Sequence, residues 1–428
     1  MDSSRRLFLK ASLAAAAFPN LVPASAFGAN ARLALAVVGT GSRGRHLARQ
    51  FSKLNDVRVA AACDADSREL KKCIDETNKQ YGGTACRGYG DFREIMGRKD
   101  IDAVVVATPD HWHALVGIAA ARSGKHVFCE KPLANSIGES KALRDAVHKA
   151  GVVLQTGSCE RSRANARYCC EVVRNGCIGK LHTIFIHLPT DQGHHDGIRR
   201  QTALPAPEQP PAELNYDLWL GHTPQIPYYP GLHPGNWRFH LGFGCGEMSD
   251  RGAHVIDLAQ LGNNTDDSGP VSIEAKGWDD AHGLYDAPMS FEFENTYANG
   301  VRMIGGTTRK PRGVRFEGDE GWIFLRVHEG TLEASDEKLL KLEPATFKVQ
   351  LGRTSSHEQN FVDAIKSGGR PFADVEVGHR SCTACLMNMM AMRLKRKLTW
   401  DPAREVFVGD DEANRLMTPV MRAPWTLA

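Results

Sequence analysis

Two α/β domains are predicted, the first a doubly wound parallel sheet. Three observations predict them. Short apolar runs alternate with helical stretches from Arg32 to Gln155, as in a parallel sheet with helices on both faces. The first of these runs leads into a glycine-rich turn. Beyond Ser158 the composition changes, and from Val271 to Val327 strands succeed one another with turns between them, which suits an antiparallel sheet.

Arg32 to Val38 (RLALAVV) reads as a buried strand and His46 to Leu54 as a helix, with Gly39-Thr40-Gly41-Ser42-Arg43-Gly44 between them. Gly39 permits the tight turn, Gly41 lets the backbone approach a pyrophosphate, and Gly44 lets helix and strand pack closely. The helix amino terminus adds free N–H groups and partial positive charge. The second strand, Val57 to Ala62, ends in Cys63-Asp64. An acid there accepts hydrogen bonds from ribose hydroxyls and repels a 2′-phosphate. Strand, glycines and acid together predict a dinucleotide-binding Rossmann domain that holds NAD; Ser67 and Arg68 leave NADP open.

The alternation continues. Asp91 to Met96 reads as a short helix and Asp102 to Ala107 as a strand ending in Thr108-Pro109-Asp110-His111-Trp112-His113. Ala114 to Arg122 is helical, His126 to Cys129 a strand ending in Glu130-Lys131-Pro132, and Ser136 to Ala150 a helix before a strand at Val152 to Gln155. Ligands of such sheets lie beyond the carboxyl ends of the strands, which brings Thr108, Pro109, His113, Glu130, Lys131 and Gln155 to the cofactor. A lysine in a cleft beside a nicotinamide can exchange a proton with a substrate hydroxyl. Farther on, Asp250-Arg-Gly-Ala-His254 opens a helix, and side chains four residues apart share a face. A carboxylate one turn from a histidine can orient it for general-base work. On pattern alone both candidates also read as structural: Lys131 as a surface lysine paired with Glu130, Asp250 as a helix cap.

These features in this order resemble the Gfo/Idh/MocA family, named for glucose–fructose oxidoreductase and inositol dehydrogenase: the glycine turn, Ala107-Thr108-Pro109 with its following His-x-His, Glu130-Lys131-Pro132 and Asp250-x-x-x-His254. The likeness runs from about Arg32 to the end of the chain. It implies a Rossmann domain (31–157) followed by a substrate-binding and oligomerisation α/β domain (158–428) with a large, mostly antiparallel sheet. It further implies Lys131, Asp250 and His254 as catalytic residues, a sugar or polyol as substrate, and a homo-oligomer, dimer or tetramer. Arg251 departs from the family's usual residues near the histidine and is read as a contact for an acidic group or ring hydroxyl. Glycoside cleavage through transient oxidation of the sugar is the alternative activity.

The N-terminus is read as an export signal (1–30). Ser4 to Lys10 (SRRLFLK) carries a paired arginine ahead of an alanine-rich apolar run, followed by Ala24-Ser25-Ala26 as a cleavage site, the pattern of the twin-arginine route. A periplasmic enzyme that carries its cofactor with it is the expectation, because free nucleotide is scarce there. The formal charge of +3 falls to +1 once Arg5, Arg6, Lys10 and Asp2 are removed, so neither nucleic acid nor a membrane is expected as partner. Eleven cysteines lack zinc-like grouping, and an odd count argues against a complete disulfide framework. Cys382-x-x-Cys385 reads as two small residues buried in a helix. Asp191, His194, His195 and Asp196 have no regular ligand spacing, and no metal is expected. Trp219, His222, Tyr228, Tyr229, His233, Trp237 and Arg238 follow in an irregular stretch, which suits a sugar ring and equally plain loop packing.

Overall fold

A computed structural model describes residues 32–280 and 283–428; the predicted export signal lies outside the described residues. In the first domain β1 (Leu33–Val38), α1 (Ser42–Ser52), β2 (Val57–Cys63), α2 (Ser67–Tyr81), β3 (Arg87–Tyr89), α3 (Phe92–Met96), β4 (Ala103–Val106), α4 (Asp110–Arg122), β5 (His126–Cys129), α5 (Ile137–Ala150) and β6 (Leu154–Thr156) follow in order. The six strands are all parallel in the order β3-β2-β1-β4-β5-β6, the doubly wound order that reverses between β1 and β4. Every residue of β1 is buried, which is why its sequence runs apolar without alternation.

Helix ends follow local chemistry. Asp66 accepts from Arg68 N–H at the start of α2, and Ser136 accepts from Glu139 N–H at the start of α5. Gly82 and Gly151 close these helices in the left-handed conformation, which costs glycine little. Helix α4 begins at Asp110, not at the expected Ala114; Pro109, which cannot donate to a preceding turn, stands just ahead of it.

The second domain contains α6 (Ala164–Arg174), β7 (Leu181–His187), α7 (Gly193–Arg199), α8 (Tyr216–Leu220), α9 (Gly246–Ser249), α10 (Gly252–Gly262), β8 (Pro270–Asp280), β9 (Pro288–Tyr297), β10 (Arg302–Gly306), β11 (Gly313–Gly318), β12 (Gly321–Arg326) and β13 (Leu332–Ala334), then α11 (His357–Ser367), α12 (Val375–Leu394), β14 (Leu398–Asp401), β15 (Val406–Phe407) and α13 (Asp411–Leu416). Nine strands form one sheet, β13-β12-β11-β7-β10-β9-β8-β14-β15. It is antiparallel except where β7 and β10 pair in parallel. Helix α10 lies close on this sheet: a Cβ on Gly262 would come within 2.4 Å of the Phe316 ring.

Chain order does not separate the packing units. Phe361 of α11 stacks edge-on against Phe51 and Phe128 in the core of the first domain, and Thr156 N–H bonds Ala373 O. The final segment returns to the first domain as well. Trp425 packs on Trp112 and Phe92, and Arg122 donates to the carbonyls of Leu427 and Ala428.

Candidate active site

The glycine turn is shaped by close contacts. Gly39 has φ +85°, and a Cβ there would meet the Ala107–Thr108 backbone at 2.5 Å. A Cβ on Gly44 would lie 1.8 Å from Gly39 O, so α1 can start only where it does if residue 44 has no side chain. Gly41 differs: nothing lies within 4 Å of its would-be Cβ, leaving open space above the amino terminus of α1. That open cradle, with Asp64 at the end of β2, fits a dinucleotide pyrophosphate and ribose.

A cleft of about 650 Å³ runs from this turn to the second domain. Of the expected residues, Gly39, Gly41, Ser42, Arg43, Asp64, Thr108, Pro109, His113, Glu130, Lys131 and His254 line it. Thr40 is fully buried beneath, donating to Asp64 through N–H (2.5 Å) and Oγ1 (3.0 Å). Burial raises the Asp64 carboxyl above its ordinary range, against these bonds and that of Asp66 N–H. Arg43 donates to Glu130 at 2.6 Å, tying α1 to the loop after β5.

Two expected contacts turn their polar atoms to the protein itself. Gln155 is fully buried and donates to His357 O at 2.7 Å, because α11 covers the end of β6; it joins the domains and does not line the cleft. His113 places both ring nitrogens on backbone carbonyls, Pro132 O at 2.7 Å and Thr108 O at 3.0 Å. It staples the β4 and β5 loops together and offers the cleft no free polar edge.

Lys131 Nζ donates to Asp250 Oδ1 at 2.7 Å and to Asp250 O at 2.8 Å. The pair crosses between the domains. Burial opposes ionisation of Asp250, but Lys131 and then Arg238, whose Nε is 3.5 Å away, hold its carboxyl well below the usual range. The expectation that Asp250 and His254 share one helix is corrected. Asp250 ends the short α9, α10 begins at Gly252, and among the described residues no hydrogen bond joins the two side chains. The carboxylate turns to the positive charges of Lys131 and Arg238 and not to the neutral ring of His254. His254 is buried, its Nδ1 has no partner, and its ring meets that of His328 edge-on at 4.8 Å. Burial, with Lys131 next, pushes the His254 imidazolium well below its ordinary pKa, so the ring is neutral.

Three further groups belong to the cleft. Asp110 lines it at 5 % exposure, without a hydrogen bond or ion pair to any described residue, and burial raises its carboxyl to about 8. Arg238, its Cζ 4.3 Å from the centre of the Trp237 ring, and His328 also line it. His328 sits at φ +75° and bonds Glu160 at 3.1 Å. An unusual backbone angle is invisible in sequence, and Asp110 stood among residues read only for position.

His194, His195 and Glu247 form a cluster of possible metal-ligand atoms. Gln192 N–H donates to His195 Nδ1, which leaves the proton of the neutral ring on Nε2, directed to Glu247 Oε1 at 2.7 Å. Arg251 also bonds Glu247. A donor nitrogen and a neighbouring guanidinium are unlike a metal-ligand set. Cys382 and Cys385 are buried and unpaired on α12, with burial raising the Cys382 thiol to about 12.

Two family profiles match the chain: "Oxidoreductase family, NAD-binding Rossmann fold" over residues 33–158, and "Oxidoreductase family, C-terminal alpha/beta domain" over 164–427. The chain belongs to the Gfo/Idh/MocA oxidoreductase family. As a family member it has an NAD-binding first domain, in the place where the cradle stands. Among its relatives is a levoglucosan dehydrogenase of Pseudarthrobacter phenanthrenivorans, 30% identical over 203 residues, 46% of this chain and 43% of that protein. A glycosyl hydrolase family 109 protein of Stenotrophomonas maltophilia is 27% identical over 303 residues, 63% of this chain and 64% of that one. The chain thus spans less than two thirds of either curated relative. The aldose-aldose oxidoreductase of Caulobacter crescentus, solved with glycerol, shares the fold with TM-score 0.61 at 20% identity, over 86% of this chain and 99% of that one.

Proposed function

We propose that this Gfo/Idh/MocA member oxidises a hydroxyl of a sugar or polyol, using tightly held NAD. The observation that carries the reading is the Lys131–Asp250 pair, which joins the two domains and fixes Lys131 in the cleft that neutral His254 also lines. NAD, held by the Gly39–Gly44 turn and Asp64, would supply the hydride acceptor. Lys131, an ammonium fixed by two oxygens of Asp250, donates a hydrogen bond to the substrate oxygen and stabilises the negative charge that develops there. It holds no lone pair in that state. The hydroxyl proton therefore passes to His254, whose neutral ring can accept it. Asp250 sets the position of Lys131, and Arg43–Glu130 holds the loop that carries it.

Export by the twin-arginine route belongs to the same reading, since a cofactor that cannot be replaced outside the cytoplasm must be retained. Support for it is the Arg5–Arg6 pair with the following apolar run. Assembly as a homo-oligomer is part of this proposal too. Glycoside cleavage by transient oxidation is a second reading, favoured by the relative named for glycosyl hydrolase family 109.

The protein is purified without added nucleotide, denatured to identify what it releases, and offered free sugars and aryl glycosides while nicotinamide absorbance and products are followed. Released NAD and its reduction by a free sugar are expected. Glycoside cleavage without net reduction would replace this reading with the second. Lys131→Met is expected to lower kcat by roughly 10²- to 10⁴-fold with the nucleotide still bound; full activity in that variant would refute the assigned roles.

A further inference from the structure

The nucleotide end of the cleft holds a second acid. Where β2 passes into α2 the cleft is lined by Asp64, Ala65 and Glu69, and Arg45 of α1 lines it too. Arg45 Nη1 donates to Thr40 O at 3.1 Å and to Glu69 Oε2, and Arg45 Nε stands 3.4 Å from Glu76. Thr40 in turn donates to Asp64, so Arg45, Thr40, Asp64 and Glu69 form one bonded cluster.

The two acids differ. Asp64 spends both oxygens on the protein: Oδ2 accepts from Thr40 N–H and Oγ1, and Oδ1 accepts from Asp66 N–H at 2.9 Å. Burial also raises its carboxyl. Burial opposes ionisation of Glu69 as well, but Lys72, at 2.7 Å, and Arg45 hold that carboxyl below the ordinary range. Glu69 is therefore the standing negative charge at this end of the cleft. Arg68, which the sequence leaves open as a phosphate ligand, is turned away. Its Nε and Nη2 hold Asp66 at 3.0 and 2.7 Å, and it does not line the cleft.

In this fold the adenosine ribose lies at the end of β2, and a 2′-phosphate there calls for a free guanidinium. Arg45 lines the cleft at that point, and Glu69 occupies it. We propose that Glu69 makes the site selective for NAD: it withholds Arg45 and sets an anion where the extra phosphate of NADP would stand. This selection rests on the family's nucleotide-binding domain and not on which hydroxyl is oxidised.

Wild type, Glu69→Gln, Glu69→Asp and the double variant Glu69→Gln with Arg45→Gln are purified without added nucleotide and denatured. Released NAD and NADP are separated by chromatography, and any protein that emerges empty is titrated calorimetrically with each nucleotide. The wild type is expected to hold NAD. Glu69→Gln should shift the preference towards NADP about 10- to 100-fold, because a repulsion is removed and Arg45 is freed to pair with phosphate. Glu69→Asp, which keeps the charge, should stay near the wild-type preference. Adding Arg45→Gln should cancel most of the gain for NADP. An unchanged preference in Glu69→Gln, an equal loss of both nucleotides, or a gain that survives removal of Arg45 would overturn the assignment. The two readings fail separately. Selection of NAD that depends on Glu69, without oxidation of any sugar or polyol offered, would refute the substrate reading alone.

Discussion

Asp110 is a carboxyl in surroundings that favour its acid form. It stands at the amino terminus of α4, where a helix stabilises an anion by at most about 2 kcal/mol. That cannot cancel burial strong enough to raise it to about 8, each pKa unit being about 1.4 kcal/mol. The native state therefore holds a proton that the unfolded chain releases at ordinary carboxylate pH. Its contribution to stability is fully present below that range and is lost as pH rises through about 8. In nucleotide-free protein the melting temperature should fall over this interval, and Asp110→Asn should flatten the fall. An identical profile in both proteins would show that Asp110 is ionised throughout. Residue identity made Lys131, Asp64 and His254 legible, because lysine after a strand, acid after a strand and histidine on a helix carry chemistry by type. The partners were not legible. Asp250 pairs with Lys131, 119 positions away, and no local spacing encodes a contact of that range.

At the scale of elements, α10 is held by a buried charge cluster. Arg161 donates to Asp257 Oδ2 at 2.8 Å and to Asp266 at 2.7 Å, while Ser381 of α12 donates to Asp257 Oδ1 at 2.7 Å. Arg161 and Asp257 are almost wholly excluded from water. Removing one member strands the other's charge, so Arg161→Met should cost about 3–5 kcal/mol, read by denaturant unfolding. His254 lies one turn before Asp257 on the same helix, and activity should drop with stability. A loss below about 1 kcal/mol would mean that water reaches the cluster. The strands and helices themselves were largely readable, since a continuous apolar run or a 3.6-residue stripe is a local property. The exceptions have local causes too. Helix α7 lies in the stretch from Thr190 to Glu213, whose prolines and glycines by themselves point to an irregular excursion. Asp250 and His254 are parted because the chain turns at Asp250 and Arg251 before α10 starts.

For the whole molecule, the last dozen residues act as a strap across the first domain. Trp425 lies 4.8 Å from Trp112, which lines the cleft, and Arg422 bonds Asp217 and Gly221 O behind α8. Trp112 in turn donates to Trp219 O at 3.0 Å. Ending the chain after Met417 should lower the melting temperature by several degrees and weaken substrate more than nucleotide binding, because the strap touches α4 and α8 and not the glycine turn. Unchanged substrate affinity would show that Trp112 keeps its place without Trp425.

The sequence by itself determined the two-domain α/β plan, the nucleotide cradle and the residue types at the ends of the strands. These depend on hydrophobic periodicity and on glycines that the backbone requires, both of which are written locally. Only the tertiary structure decided that Asp250 serves Lys131, that Gln155 and His113 bind the protein to itself, and that Asp110 is buried in the cleft. Burial and charge pairing are sums over residues distant in the chain, and they acquire values only when folding brings those residues together.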